Sequence, residues 1–344
     1  MVFPYTLTNG TLADADEVMA NLKYAKNNSW YKIIYASNIS YGLIKFSSTI
    51  WQSENVRTTD AGATWSGSGY GAGYSADTNG VNGASMDAGS PGTAKYTTDS
   101  GATWNASSTA PPNANDIAQI HMFSDTIVVA GGRATSGKWV WYSSDGGDNW
   151  SQSTTGPVDD VYAIQMASIT IGYLVDQDGS IWKTTDGGDN WVDTTDDFSI
   201  TNDRRLSITC VDTDTLLLAG NSKSGLQKYV NSTNTVSTLY TASTAASAVT
   251  NWVKSTNGNY YIVLWYTGGN SGLVLDLLKY DGSDVYLKPL VSALGISDNP
   301  SSPQYWSELN NFCPLAKPVL IEVSDILYFN WGVNAILDVN VEEE

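Results

Sequence analysis

The chain has 344 residues, 17 of them basic and 35 acidic, for a formal net charge of −18. A surface this negative repels a phosphate backbone, whose binding depends on neutralisation by Lys and Arg, so nucleic acid is excluded as a partner. A single histidine, His121, excludes His-ligated zinc clusters and paired imidazoles within one chain, and the two cysteines, Cys210 and Cys313, make one bridge or none.

The length suggests two domains or one large all-β unit. Residues 1–8 lack the basic and apolar regions of a secretory signal, and the longest apolar runs are strand-sized, so neither a signal peptide nor membrane insertion is expected. Residues 8–26 open with a capping cluster, carry Asp14, Asp16 and Glu17 early and Lys23 and Lys26 late, and so complement a helix dipole. Leu12, Ala15, Val18, Met19, Leu22 and Ala25 recur at three- and four-residue steps, which predicts a short amphipathic helix with one apolar stripe. Residues 1–29 read as a strand and helix whose stripe, Leu12, Val18, Met19 and Leu22, either packs against the rest of the chain or docks onto a partner or another copy.

From residue 30 the chain is repetitive. Residues 58–65 read Thr-Thr-Asp-Ala-Gly-Ala-Thr-Trp, and the pattern returns at 97–104, 143–150 and 184–191, with its tryptophans Trp65, Trp104, Trp150 and Trp191 standing 39, 46 and 41 residues apart. A weaker echo, Tyr280-Asp281-Gly-Ser-Asp284-Val-Tyr286, lies two periods after Trp191, and Val230-Asn-Ser-Thr-Asn-Thr235 occupies the place between them. Such a period marks a repeat array. In each octet a short Asp (Asp60, Asp99, Asp145, Asp186) accepts from nearby backbone N–H groups. A Gly (Gly62, Gly101, Gly147, Gly188) supplies the unusual φ, and the Trp covers the corner.

β-rich runs flank the octets: 160–166, 171–175, 180–184 and 191–195 around the fourth, with similar sets at 117–153 and from Tyr31 to Ser66. Further runs follow at 215–219, 260–265, 273–278, 318–323, 326–330 and 335–339. Each period thus holds four strands. The expected fold is all-β, about seven four-stranded blades with six as the alternative, and residues 2–7 are expected to complete the last blade and so remove its open edge.

The octet Ser/Thr-x-Asp-x-Gly-x-Thr-Trp resembles the Asp-box, or BNR repeat, of sialidases, sortilin-type receptors and photosystem assembly factors. The resemblance implies a β-propeller over residues 30–344, with the boxes joining third and fourth strands at the outer edge, away from the axial site. Residues 9–21 resemble a short segment found near the N-terminus of phage and viral tail and fibre proteins. That implies a virion location reached without a signal peptide, with residues 1–29 docking on other virion proteins and a homo-oligomer in the particle.

Catalytic constellations are poorly matched. Family sialidases carry an arginine triad, whereas this chain has only Arg57, Arg133, Arg204 and Arg205 and lacks the Phe/Tyr-Arg-Ile-Pro motif. Residues 176–179, Asp-Gln-Asp-Gly, open like a calcium loop, but Gly187 stands where the bidentate Glu belongs, so they read as a hairpin turn and no metal or cofactor is assigned. Aromatic side chains suit sugar stacking; Trp252, Trp265, Trp306 and Trp331 are the tryptophans least constrained by the repeat, and Trp252, Trp265, Tyr305 and Trp306 are the candidate ligand residues. The sequence therefore reads as a non-enzymatic virion surface or tail protein that attaches to a host-surface glycan or protein. The alternatives are a sialidase-like glycoside hydrolase or an intracellular assembly factor.

Overall fold

The computed structural model describes residues 31–35, 43–67, 69–70, 75–86, 93–198, 206–220, 225–241, 248–255, 257–268, 272–289, 319–323, 326–332 and 335–340. The expected N-terminal helix and its stripe Leu12, Val18, Met19 and Leu22 lie outside these residues, and no helix occurs among those described.

Among the described residues, seven antiparallel sheets succeed one another along the chain. Six are four positions wide. The first, built from Ile44–Lys45, Trp51–Gln52 and Arg57–Thr58, has three strands, its fourth position reduced to a single bridge between Arg57 and Ser66. In the sixth the innermost position is split into Ala248–Val249 and Val253–Lys254, both paired with Tyr260–Gly268. The count is thus six full blades and one reduced blade.

Tyr31–Tyr35 pairs with Ala335–Asn340 and becomes the outermost strand of the last sheet, while residues 2–7, expected to complete that blade, lie outside the described residues. Tyr31–Tyr35 was expected to open the first unit. Among the described residues that unit instead starts at Ile44–Lys45, and Tyr31–Tyr35 covers an edge of the last sheet that would otherwise stay open.

Consecutive sheets pack through their innermost strands: Ala114–Met122 of blade 3 lies against Ser75–Thr78 of blade 2 and Val161–Met166 of blade 4. The hydrophobic core is accordingly divided among the seams. Trp141 and Met86 fill the seam between blades 2 and 3, Trp191 and Ile164 that between 3 and 4, Tyr173 and Tyr229 that between 4 and 5, and Trp252 and Ile262 that between 5 and 6. This explains the strand patterns. Second strands are covered on both faces and read as apolar runs, such as Gly172–Asp176 and Thr215–Gly220, whereas outer strands such as Trp191–Asp197 are largely exposed.

Because neighbouring strands run antiparallel, the first and third turns of every blade share one face. The second turn and the link to the next blade lie on the other. The octets form third turns, and backbone bonds tie them to the first turn of the same blade: Gly146 N–H donates to Thr126 O at 2.8 Å, Gly187 to Thr170 at 3.0 Å and Ala61 to Thr49 at 3.0 Å.

Candidate functional site

The octet face is a set of closed corners. In the first, Thr58 Oγ1 donates to Asp60 Oδ1 at 2.7 Å, and Asp60 also accepts Thr64 N–H at 2.8 Å and Thr64 Oγ1–H at 2.6 Å. These bonds, the Thr64 hydroxyl first, hold the Asp60 carboxyl down at about 2. Asp99 repeats the arrangement with Thr97 and Thr103, again led by the Thr103 hydroxyl. In Asp145 and Asp186 burial pushes upward, but the bonds from Asn149 and Asn190 outweigh it and the carboxyls are also lowered. Gly62, Gly101, Gly147 and Gly188 all have φ between +74° and +107°, the left-handed region the turn demands.

Three of the four octet corners are also fasteners to the preceding blade. Trp150 Nε1–H and Ser107 Oγ–H both donate to Gly147 O, at 2.9 and 2.6 Å, and Trp191 and Ser153 treat Gly188 O in the same way. The second octet uses a different part: the buried Gln52 amide donates to Gly101 O at 3.3 Å and accepts Trp104 Nε1–H at 3.1 Å. The weaker echoes occupy the expected third turns. In blade 5 the carboxylate comes from the first turn, where Asp214 accepts Ser232 N–H at 2.7 Å and Ser232 Oγ–H at 2.6 Å. In blade 6 Asp281 accepts the N–H groups of Ser283 and Asp284 at 2.9 and 2.8 Å.

Two further repeats escaped the sequence reading. Ser47, Ser124 and Ser168 each accept the N–H groups two and three residues on, forming the first turns of blades 1, 3 and 4. The signal was present as Ser-x-Thr-Ile at 47–50, 124–127 and 168–171. The straps Ser107-Ser108-Thr109 and Ser153-Thr154-Thr155, which bond along the next octet, were a second such signal.

On the opposite face, Arg133 is the next-to-last residue of the second strand of blade 3, and Asp160 immediately precedes the first strand of blade 4. Arg133 Nε–H and Nη2–H donate to Asp160 Oδ1 and Oδ2 at 2.8 and 2.6 Å, and the guanidinium lies over Trp139, 5.9 Å from its ring centre. Asp160 is 4% exposed, whereas the Arg133 side chain keeps 45% of its surface. The Asp160 bond raises the guanidinium further, so Arg133 is a fixed cation at the mouth of a crevice lined by Asp116, Ala118, Gly132, Val161 and Tyr162. Both Asp160 oxygens are engaged by the guanidinium. No sequence motif pointed to this pair, because its members stand 27 residues apart on different blades.

The sequence-derived ligand residues separate. Trp252 is 7% exposed in the seam between blades 5 and 6, and its Nε1–H donates to Ser207 O at 3.2 Å, so its ring is core and offers no stacking platform. Burial of this kind is what a sequence cannot distinguish from a surface aromatic. Trp265 lies on Tyr260–Gly268, opposite Leu275. Tyr305 and Trp306 fall between the strands Val285–Pro289 and Val319–Val323, outside the described residues. Residues 176–179 form the expected hairpin turn, with Asp176 Oδ1 accepting Asp178 and Ser180 N–H and Gly179 at φ +93°.

This succession of four-stranded sheets recurs in solved structures. YCF48 bound to D1 peptide superposes with a TM-score of 0.59 at 13% identity, covering 91% of this chain and 97% of that one. The fold is a β-propeller. U3-55K gives a TM-score of 0.61 at 9% identity, with 90% and 98% covered. The GH74 enzyme of Niastella koreensis gives 0.59 at 14% identity over 88% of this chain, which spans about half (52%) of the enzyme. No family model and no curated protein matches the sequence.

Proposed function

We propose that the chain is a non-enzymatic virion surface or tail protein whose octets are Asp-boxes and whose propeller attaches to a host-surface glycan or protein. Residues 1–29 dock on other virion proteins, and the chain forms a homo-oligomer in the particle. The observation that carries the reading is the contrast between the two faces: the octets and first turns are consumed by bonds that hold the ring together, while the other face carries a held, half-exposed cation. A rigid ring that keeps one face for recognition suits display.

YCF48 with its bound peptide supports a recognition role for a propeller of this build. The fold also serves an enzyme, so the non-enzymatic reading leans on Asp160, whose carboxylate is fully engaged by Arg133. Deleting residues 1–29 tests the anchor. The truncated protein should fold and still bind host cells yet fail to enter particles; normal incorporation would overturn the anchor, and turnover of a sialyl or polysaccharide substrate would favour the hydrolase.

A further inference from the structure

The innermost strand of each blade has a strand neighbour on one side only, so half of its backbone groups face the axis without a ladder partner. Three bonds at one register meet this need. Asp77 of blade 2 accepts Met122 N–H of blade 3 at 2.8 Å, His121 Nδ1 of blade 3 accepts Met166 N–H of blade 4 at 3.1 Å, and Gln165 of blade 4 accepts Cys210 N–H of blade 5. Donor and acceptor stand 45 residues apart in every case. A second rung joins blades 3 and 4, with Gln119 Oε1 accepting Ile164 N–H at 3.1 Å.

We infer that His121, the chain's one histidine, is an acid-sensitive fastener: its neutral imidazole closes the seam between blades 3 and 4, and protonation at Nδ1 releases that seam. An N–H donor aimed at Nδ1 requires the Nε2–H tautomer. A proton on Nδ1 turns the acceptor into a donor, leaves Met166 N–H facing another N–H, and places a charge between blades. Burial drives the imidazole down to about 4.

The charged and titratable groups on the packed strands are few. Ser75–Thr78 brings Asp77, Val128–Ala134 brings Arg133 and Val161–Met166 brings Tyr162, while His121's own strand adds Asp116; Gly83–Met86 carries none. Arg133, Tyr162 and Asp116 gather at the far end, in the crevice. Asp77 stands beside Met122, and burial raises it to about 6. The two rungs therefore oppose each other. The lowered His121 contributes stability above its ordinary value of 6.5 that is lost as pH falls towards 4, whereas the raised Asp77 is better tolerated once protonated, so its contribution grows as pH falls.

The test uses the full chain and its single imidazole resonance. In the wild type the ring should remain the neutral Nε2–H tautomer until the pH falls below about 5. Between pH 7 and pH 4 the folding constant should fall about a hundredfold more than in His121→Gln, which keeps an acceptor like those of Gln119 and Gln165. Rate-corrected amide exchange at Ile164 and Met166 should accelerate in acid in the wild type alone, and Asp77→Asn should make the acid step steeper. An imidazole that titrates near 6.5 in the folded protein, or an acid profile shared by the wild type and His121→Gln, would overturn the inference. The wild-type titration decides the matter even if a variant fails to fold.

Discussion

Blades 4 and 5 close the same corner with carboxylates from different places. In blade 4 Asp186 belongs to the third turn itself and is sealed by Trp191, which is 1% exposed. In blade 5 Asp214 reaches across from the first turn, and no tryptophan follows. Blade 6 is a third solution, with Asp281 in a bare turn and Tyr286, 51% exposed, lying against the Lys279 ammonium. The corner is therefore a physical requirement, two strand ends with orphaned N–H groups, and the octet is one answer that also locks the neighbouring blade. Where the octet is absent the corner survives without the tryptophan and strap bonds that meet on one glycine carbonyl in blades 3 and 4.

Substitutions separate these two jobs. The largest effect is expected from Trp191→Ala, about 3–5 kcal/mol by urea unfolding, because a large buried side chain and its bond to Gly188 O are both lost. Tyr286→Ala at the matching place in blade 6 should cost less than about 1 kcal/mol, and equal losses would break the distinction. Next comes Gly188→Ala, expected to cost about 2–3 kcal/mol. Its φ is +107° and an added Cβ would meet Val129 Cγ1 at 2.9 Å and Tyr142 Cβ at 3.1 Å. Gly282→Ala, at φ +102° with open space around it, should cost about 1 kcal/mol from backbone strain alone.

Smaller effects sharpen the contrast in carboxylates. Asp186→Asn should cost about 1 kcal/mol and leave the first turn of blade 4 protected from amide exchange. Asp214→Asn should instead expose Asn231 and Ser232 together with its own turn; protection unchanged at Ser232 would refute the borrowed-carboxylate account. The smallest effect is the pH dependence. The octet carboxylates are held below their ordinary value of 3.8, so the stability they contribute is present above it and lost as pH falls through their folded values, about 2 for Asp60. Replacing Asp145 or Asp186 with Asn should flatten the acid unfolding curve below about pH 4.

These corners were legible because their chemistry is local: Asp, Gly and Trp at fixed offsets spell one turn four times. Strand positions were legible for the same reason, with Ser180–Thr184 found where the sequence placed it. Contacts between blades were not. Arg133 and Asp160, Gln52 and Trp104, and the rungs Asp77, His121 and Gln165 join positions 27 to 52 residues apart, and only the ring brings them together. Trp252 failed as a surface candidate because aromatic composition carries no information on which side of a seam a ring lies. Closure by Tyr31–Tyr35 was missed because a short β-rich segment fits the outer edge of the last blade as well as the inner edge of the first.

The central claim, a propeller displayed on a particle, is tested most directly by quantitative mass spectrometry of purified virions. The account predicts peptides of this chain in fixed ratio to other tail or surface proteins, retained through density-gradient purification. A chain abundant in producing cells yet absent from the purified particles would contradict it.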